Sequence, residues 1–243
     1  MGRLWQAAGT VKSILTPHLI EKAAACGLRS LFVGFETINP GNLKSQNKTQ
    51  NLNRNYDAAI KHLHDLGIMV NASFVFGMDG DDETVFDRTV EWAIRQGIET
   101  ATFHILTPYP GTALYERMRA ENRMLTHNWD LYDTRHAVFL PAGMTTEVLE
   151  EGYWRAYREF YRWKNIFGSA WVQEGWNEKL RHLAYTGGWK KFEPLWDWVI
   201  RLKRVTDFLP VLEGVLAGFR RDKDRVVDKS LDLYQRPTSN LYS

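Results

Sequence analysis

The side chains that could do chemistry gather at the ends of apolar runs. In LRSLFVGFE, Phe32, Gly34 and Glu36 alternate onto one side of an extended segment, so a carboxylate stands at its carboxyl end beside a glycine that leaves room for a ligand. The competing reading gives Glu36 to the turn that follows. In TATFHIL, Thr102 and His104 share a side opposite Phe103 and Ile105, which makes His104 either an interior site residue or a hydrogen-bonded structural histidine. Ser73 shares the wetter face of NASFVF with Asn71 and Val75. Asp79, Asp81 and Asp82 could hold a divalent cation, but nothing nearby completes such a site, so they read as turn and cap chemistry. The single cysteine, Cys26, reads as a buried small residue in the last turn of a helix.

These residues need a scaffold that brings strand ends together. The stretch from Gly67 to Thr112 supplies one, as strand, acidic turn, helix, strand and Pro-Gly-rich exit loop, the order of a right-handed parallel crossover. Gly67 and Gly97 end the helices before each strand. Upstream, Thr16 and Pro17 predict a helix start, the segment from Leu31 to Phe35 is apolar enough to be covered on both faces, and Tyr56, Ala59, Ile60 and Leu63 fall at helical spacing. The piece VKSIL reads as the tail of a strand, and the opening of the chain as a fold cut into.

Strands alternating with helices, with polar groups at their carboxyl ends, imply a parallel sheet whose ligand lies above those ends. Three strands are expected before a helical region begins near Met144, too few for a closed barrel or a full doubly wound sheet. The fold class is therefore α/β: a partial (β/α) barrel over residues 1–143, completed by absent sequence or a partner, then an α-helical extension over residues 144–243. Glu36, Ser73 and His104 should point to one concave side of a sheet with an open edge.

Composition narrows the function classes. With 31 Lys and Arg against 29 Asp and Glu, the net charge of +2 gives no strong attraction to nucleic acid. One cysteine excludes both a disulfide framework and an all-cysteine metal cluster built from this chain alone. No run approaches the ~20 apolar residues that span a bilayer, and the start lacks a signal peptide's apolar core, so a cytoplasmic location is expected.

Four ordered segments, GFETINPGNLKSQNK, FVFGMDGDDETVF, FHILTPYPGTALYERM and WDLYDTRHAVFLP with EGYWRAYREFY, resemble the second half of a radical S-adenosylmethionine enzyme. The likeness is closest to the branch carrying an N-terminal cobalamin-binding domain, and it covers roughly Leu15 to Phe167. It implies that Glu36 lies near the ribose or amino group of S-adenosylmethionine, that Lys48 pairs with its carboxylate, that Ser73 contacts the ribose, and that the main chain of the edge from His104 to Thr107, Leu106 included, lies against adenine. The family also uses three cysteines spaced CxxxCxxC for a [4Fe-4S] cluster. This chain lacks them, so the cluster and cobalamin are expected only in a full-length enzyme, and the chain supplies part of a pocket without starting the reaction itself. Such enzymes include methyltransferases as well as ring-forming enzymes; the substrate is not legible. The alternative is a non-catalytic binding or interaction module built on the same half-barrel.

Beyond it, Thr145 or Thr146 should cap a long helix packed through Tyr153, Ala156, Tyr157 and Phe160. The Trp-rich region after it could lie on a membrane surface, although packing on the barrel is the commoner explanation.

Overall fold

The computed structural model describes residues 4–39, 41–42, 56–173 and 175–201. In order, these give β1 (Trp5–Gly9), α1 (Val11–Ile14), α2 (Leu19–Ala25), β2 (Leu28–Glu36), α3 (Tyr56–Asp65), β3 (Met69–Phe76), α4 (Val85–Arg95), β4 (Thr100–Ile105), α5 (Ala113–Ala120), a 3-10 turn (Trp129–Leu131), α6 (Thr146–Phe160), α7 (Trp163–Val172) and α8 (Trp176–Arg201). The chain forms two compact units, Met1–Lys190 and Lys191–Ser243, and everything below concerns the first.

The sheet is fully parallel in the order β1-β2-β3-β4, as the alternation of strands and helices predicted. Among the described residues it has four strands, one more than expected. The extra strand is WQAAG, whose small and polar residues carry no strand pattern and which lies mostly exposed at the sheet's end. VKSI, expected to finish a strand, instead forms α1, because Thr10 and Ser13 make a reciprocal capping box. Thr16 caps nothing. Its hydroxyl donates back to the Lys12 carbonyl, and α2 begins after His18, which adopts a left-handed conformation.

One face of the sheet is apolar and carries the core. Phe35, Phe74 and Phe103 stack from strand to strand with centroids 5.9 and 5.8 Å apart, and Phe76 stacks on Phe103 at 5.5 Å. Such pairs add about 0.5–1.5 kcal/mol each beyond the area they bury. Trp92 of α4 meets Phe35 and Phe74 edge-on from above. Packing of α6 against α4 is close because Gly152 has no Cβ: one placed there would fall 2.3 Å from the Phe86 ring. Thr145 caps α6 through the Val148 amide at 3.2 Å, as the sequence indicated, and Leu149, Tyr153, Ala156 and Phe160 face inward.

The two edges of the sheet differ. The hydroxyls of Tyr157 and Tyr161 on α6 and its end cover the outer edge of β4, bonding the Phe103 and Ala101 main chain, and the Thr134 carbonyl accepts from the Ile105 amide at 2.7 Å. β1 pairs only with β2 among the described strands, so the expected open edge is at that end.

Candidate functional site

The second face of the sheet is polar, and its rows can be followed across strands. Gly34, Ser73 and Thr102 are paired in register on β2, β3 and β4; one row toward the amino ends lie Ala8, Phe32, Asn71 and Thr100. Asn71 donates to the Ser30 hydroxyl at 2.8 Å and accepts from Thr100, while Thr102 donates to the Ala72 carbonyl at 3.3 Å. These bonds fix the polar floor.

Glu36 does not follow simple alternation. The pairing of β2 with β3 slips between Gly34 and Glu36, and Glu36 takes a left-handed φ of 66°, a strained choice for a residue with a side chain. The slip returns its carboxylate to the polar face. Glu36 Oε1 lies 3.0 Å from where a Gly34 Cβ would be, so the glycine's missing side chain is the space the acid uses. The carboxylate's field reaches two further groups. Burial pushes the Tyr56 phenol up to about 12, with Glu36 adding to it. Burial also lowers the His104 imidazole, with the Arg135 charge acting the same way and Glu36 opposing both.

His104 is paired in register with Val75, one row beyond Ser73 toward the carboxyl ends. Its Nδ1 lies 3.1 Å from the Thr134 hydroxyl, so it is a partnered histidine standing at the polar face, as the structural reading expected. Ser73 is on the same face but buried. The Leu106 amide donates to the Phe76 carbonyl at 2.8 Å, which commits that main-chain donor to the sheet. Lys48 lies outside the described residues. A cavity of about 510 Å³ opens over the neighbouring row, lined by Gln6, Phe32, Asn71, Thr102 and Tyr185, and its size is that of small-molecule sites. It adjoins the Glu36 row without including it.

The acidic loop after β3 is turn chemistry, and the expected cap from Asp81 or Asp82 is not made: the N-cap of α4 is Thr84, with no side-chain cap bond. Asp81 Oδ2 accepts from the Gly77 and Met78 amides at 3.0 Å, and Oδ1 from Asn42 Nδ2 at 2.6 Å. Asp82 accepts from the Thr84 amide, and Asp79 pairs with Arg117 and Arg123. Among the described residues no group of His, Cys, Asp and Glu side chains is arranged to hold a metal ion.

Sequence reasoning missed a buried polar cluster at the opposite end of the strands. Glu99, just before β4, accepts from the Val70 amide at 2.8 Å, lies 3.3 Å from His64 and 3.9 Å from His182, and its carbonyl accepts from Thr186. The last of those imidazole distances is too long for a hydrogen bond, and the His182 Nε2 meets Ser169 instead at 2.8 Å. No motif spacing marks these residues, because they converge from α3, β4, α7 and α8. A second cavity of about 550 Å³ lies at this end, beside His64 and Gln173. Ligands of parallel sheets bind at the carboxyl ends, which favours the Glu36 side.

The chain is 36% identical over 162 residues to bacteriochlorophyllide d C-12(1)-methyltransferase of Chlorobaculum tepidum, covering 67% of this chain and 35% of that protein. The same share of the chain is 25% identical to the anaerobic magnesium-protoporphyrin IX monomethyl ester cyclase of Cereibacter sphaeroides, of which it covers 26%. The chain is a relative of radical S-adenosylmethionine enzymes. It spans about a third or less of the length of these relatives. A solved radical S-adenosylmethionine methyltransferase, TsrM from Kitasatospora setae with cobalamin and a [4Fe-4S] cluster bound, aligns over 48% of the chain and 23% of its own at 18% identity and a TM-score of 0.43. No family model matches.

The residues present can be tested against the cofactors of that family. An iron-sulfur cluster does not fit them. Cys26 is the only cysteine in the sequence, is exposed rather than buried as expected, and ends α2 at the amino end of β2. The nine-residue strand then separates it from Glu36 by about 26 Å. S-adenosylmethionine does fit: an acid held over a glycine, hydroxyls in register beside it and an adjoining cavity offer the charge and hydrogen-bonding groups that a cationic nucleoside requires.

Proposed function

We propose that this chain forms one wall of the S-adenosylmethionine pocket of a cobalamin-dependent, methyltransferase-like radical enzyme and is not catalytic alone. The observation carrying the reading is the Glu36 carboxylate returned over Gly34 at the carboxyl end of β2. There the acid would bind the amino group or the ribose hydroxyls, Ser73 and Thr102 would line the floor, and the main chain from His104 to Leu106 would border the base. When bound, S-adenosylmethionine supplies a transferable group; this chain's residues orient it and fix its charge. Lys48 is assigned to its carboxylate, and the cluster and cobalamin to sequence outside this chain.

Methyl transfer is the outcome favoured, since the relative with the highest identity quoted above is named a methyltransferase. Ring formation remains the other class, after the cyclase. The test is two-dimensional NMR of the 15N-labelled chain titrated with S-adenosylmethionine. Shifts concentrated on the Gly34, Glu36, Ser73 and Thr102 amides are expected; shifts confined to the other end of the strands would end the proposal. Supplied with iron and sulfide without oxygen, the isolated chain should show no cluster absorbance and no reductive cleavage. Cleavage would refute the assignment of the cluster to other sequence.

A further inference from the structure

From residues unrelated to the pocket we infer that the first unit docks peripherally on an anionic lipid bilayer through the outer faces of α7 and the start of α8. On α7, Ile166, Ser169 and Ala170 face inward, while Trp163, Phe167 and Trp171, each four residues apart, share the solvent side. Trp176 and Leu180 continue the ridge on α8. The exposure is extreme: Trp171 and Trp176 keep 69% and 71% of their surface in water. A run of large aromatic side chains this exposed is a site for something apolar to cover.

The chemistry around the ridge selects the occupant. Lys179 Nζ sits 4.8 and 5.4 Å above the Trp171 and Trp176 rings, whereas Lys190, 6.0 Å from the Trp163 ring, donates to the Tyr161 carbonyl. From Arg162 to Lys190 the sequence carries five Lys and Arg against two acids. Indoles are the side chains that settle at the boundary between acyl chains and headgroups, and a lysine set among them, here Lys179, reaches out to anionic headgroups. A second copy fits less well, since a two-fold contact through this ridge would bring like-charged lysines together. Among the described residues no helix is long and apolar enough to cross a membrane, so the attachment is peripheral.

The experiment uses the full chain with vesicles of phosphatidylcholine alone or containing about 30% phosphatidylglycerol, read by cosedimentation and by the blue shift of tryptophan emission. Binding to the anionic vesicles is expected, with little on the neutral ones, and it should weaken in about 0.5 M salt. Trp171→Ser with Trp176→Ser should reduce it at least about fivefold while the circular dichroism spectrum is retained. Phe167→Ser with Leu180→Ser, on the same ridge, should repeat the loss. Absence of binding, equal binding to neutral vesicles, or equal binding by both double variants would each overturn the inference. So would a concentration-dependent dimer that the variants abolish, which would assign the ridge to a second copy.

Discussion

The Tyr161 hydroxyl accepts from the Ala101 amide at 3.1 Å and donates to the Ala101 carbonyl at 3.0 Å, standing where a fifth strand would pair. Tyr157 repeats the arrangement at Phe103. The match is geometric: four residues of helix advance about 6.0 Å and two residues of strand about 6.6 Å, so every fourth residue of one can serve every second residue of the other. Both polar groups of Ala101 are buried here, and Tyr161→Phe would leave both unpaired. We expect a loss of about 1–3 kcal/mol in urea unfolding for that variant. A loss below the error of the fit would show that water replaces the hydroxyl.

That edge shows what the sequence could and could not convey. Tyr157 was legible as part of a packing stripe because helical periodicity marks which side of α6 is inward. Its hydroxyl's role was not, just as sixty residues separate Tyr161 from the strand it serves. The same limit hid Glu99, a charged residue whose burial depends on His64 and His182 arriving from other elements. β3 and β4 were legible because alternation and flanking glycines agree. β1 was not, since WQAAG has neither, and the start of α1 was hidden by a two-residue capping box. Glu36 was found through strand alternation, yet the structure reaches the same face through a register slip.

Gly34 separates the pocket reading from plain stability. Its backbone lies outside the left-handed region, so Gly34→Val strains no dihedral angle, but its Cβ would crowd Glu36 Oε1 at 3.0 Å. The carboxylate must then shift to make room for the valine side chain. The S-adenosylmethionine shifts described above should weaken about tenfold in Gly34→Val and in Glu36→Gln, a loss of about 1.4 kcal/mol. Unchanged titrations in both variants would remove Glu36 from the binding surface.

Glu99 predicts acid sensitivity. Burial alone would raise its carboxyl, but the pull of His182 and His64 outweighs this and holds it at about 2 against an ordinary 4.5. Because the folded value is depressed, its contribution is complete above pH 4.5 and disappears as pH falls through about 2. It amounts to no more than about 3 kcal/mol. Glu99→Gln should flatten the stability curve in that window; a parallel curve for the two proteins would show that the fold does not hold the Glu99 carboxyl down.

Asp81 predicts the opposite sign. Burial pushes its carboxyl up from 3.8 to about 6, against the lowering effect of the Met78, Gly77 and Asn42 donors. With the folded value raised, the contribution is full below pH 3.8 and is lost as pH rises through about 6, a trend that Asp81→Asn should erase. The substitution is nearly isosteric but not neutral. Asn42 spends Nδ2 on Asp81 and Oδ1 on the Gly80 amide at 2.9 Å, so one orientation of that amide serves both loops. In the Asp81→Asn variant, a new side-chain amide whose oxygen keeps the Gly77 and Met78 amides turns its NH2 toward Asn42. Flipping Asn42 to accept it sets a second donor against Gly80, so one donor-donor contact remains in either orientation. We expect Asp81→Asn to cost about 1–3 kcal/mol and Asn42→Ala with Asp81→Asn to cost less than the two single changes added together. Simple additivity in urea unfolding would show that the two loops are not coupled through this pair.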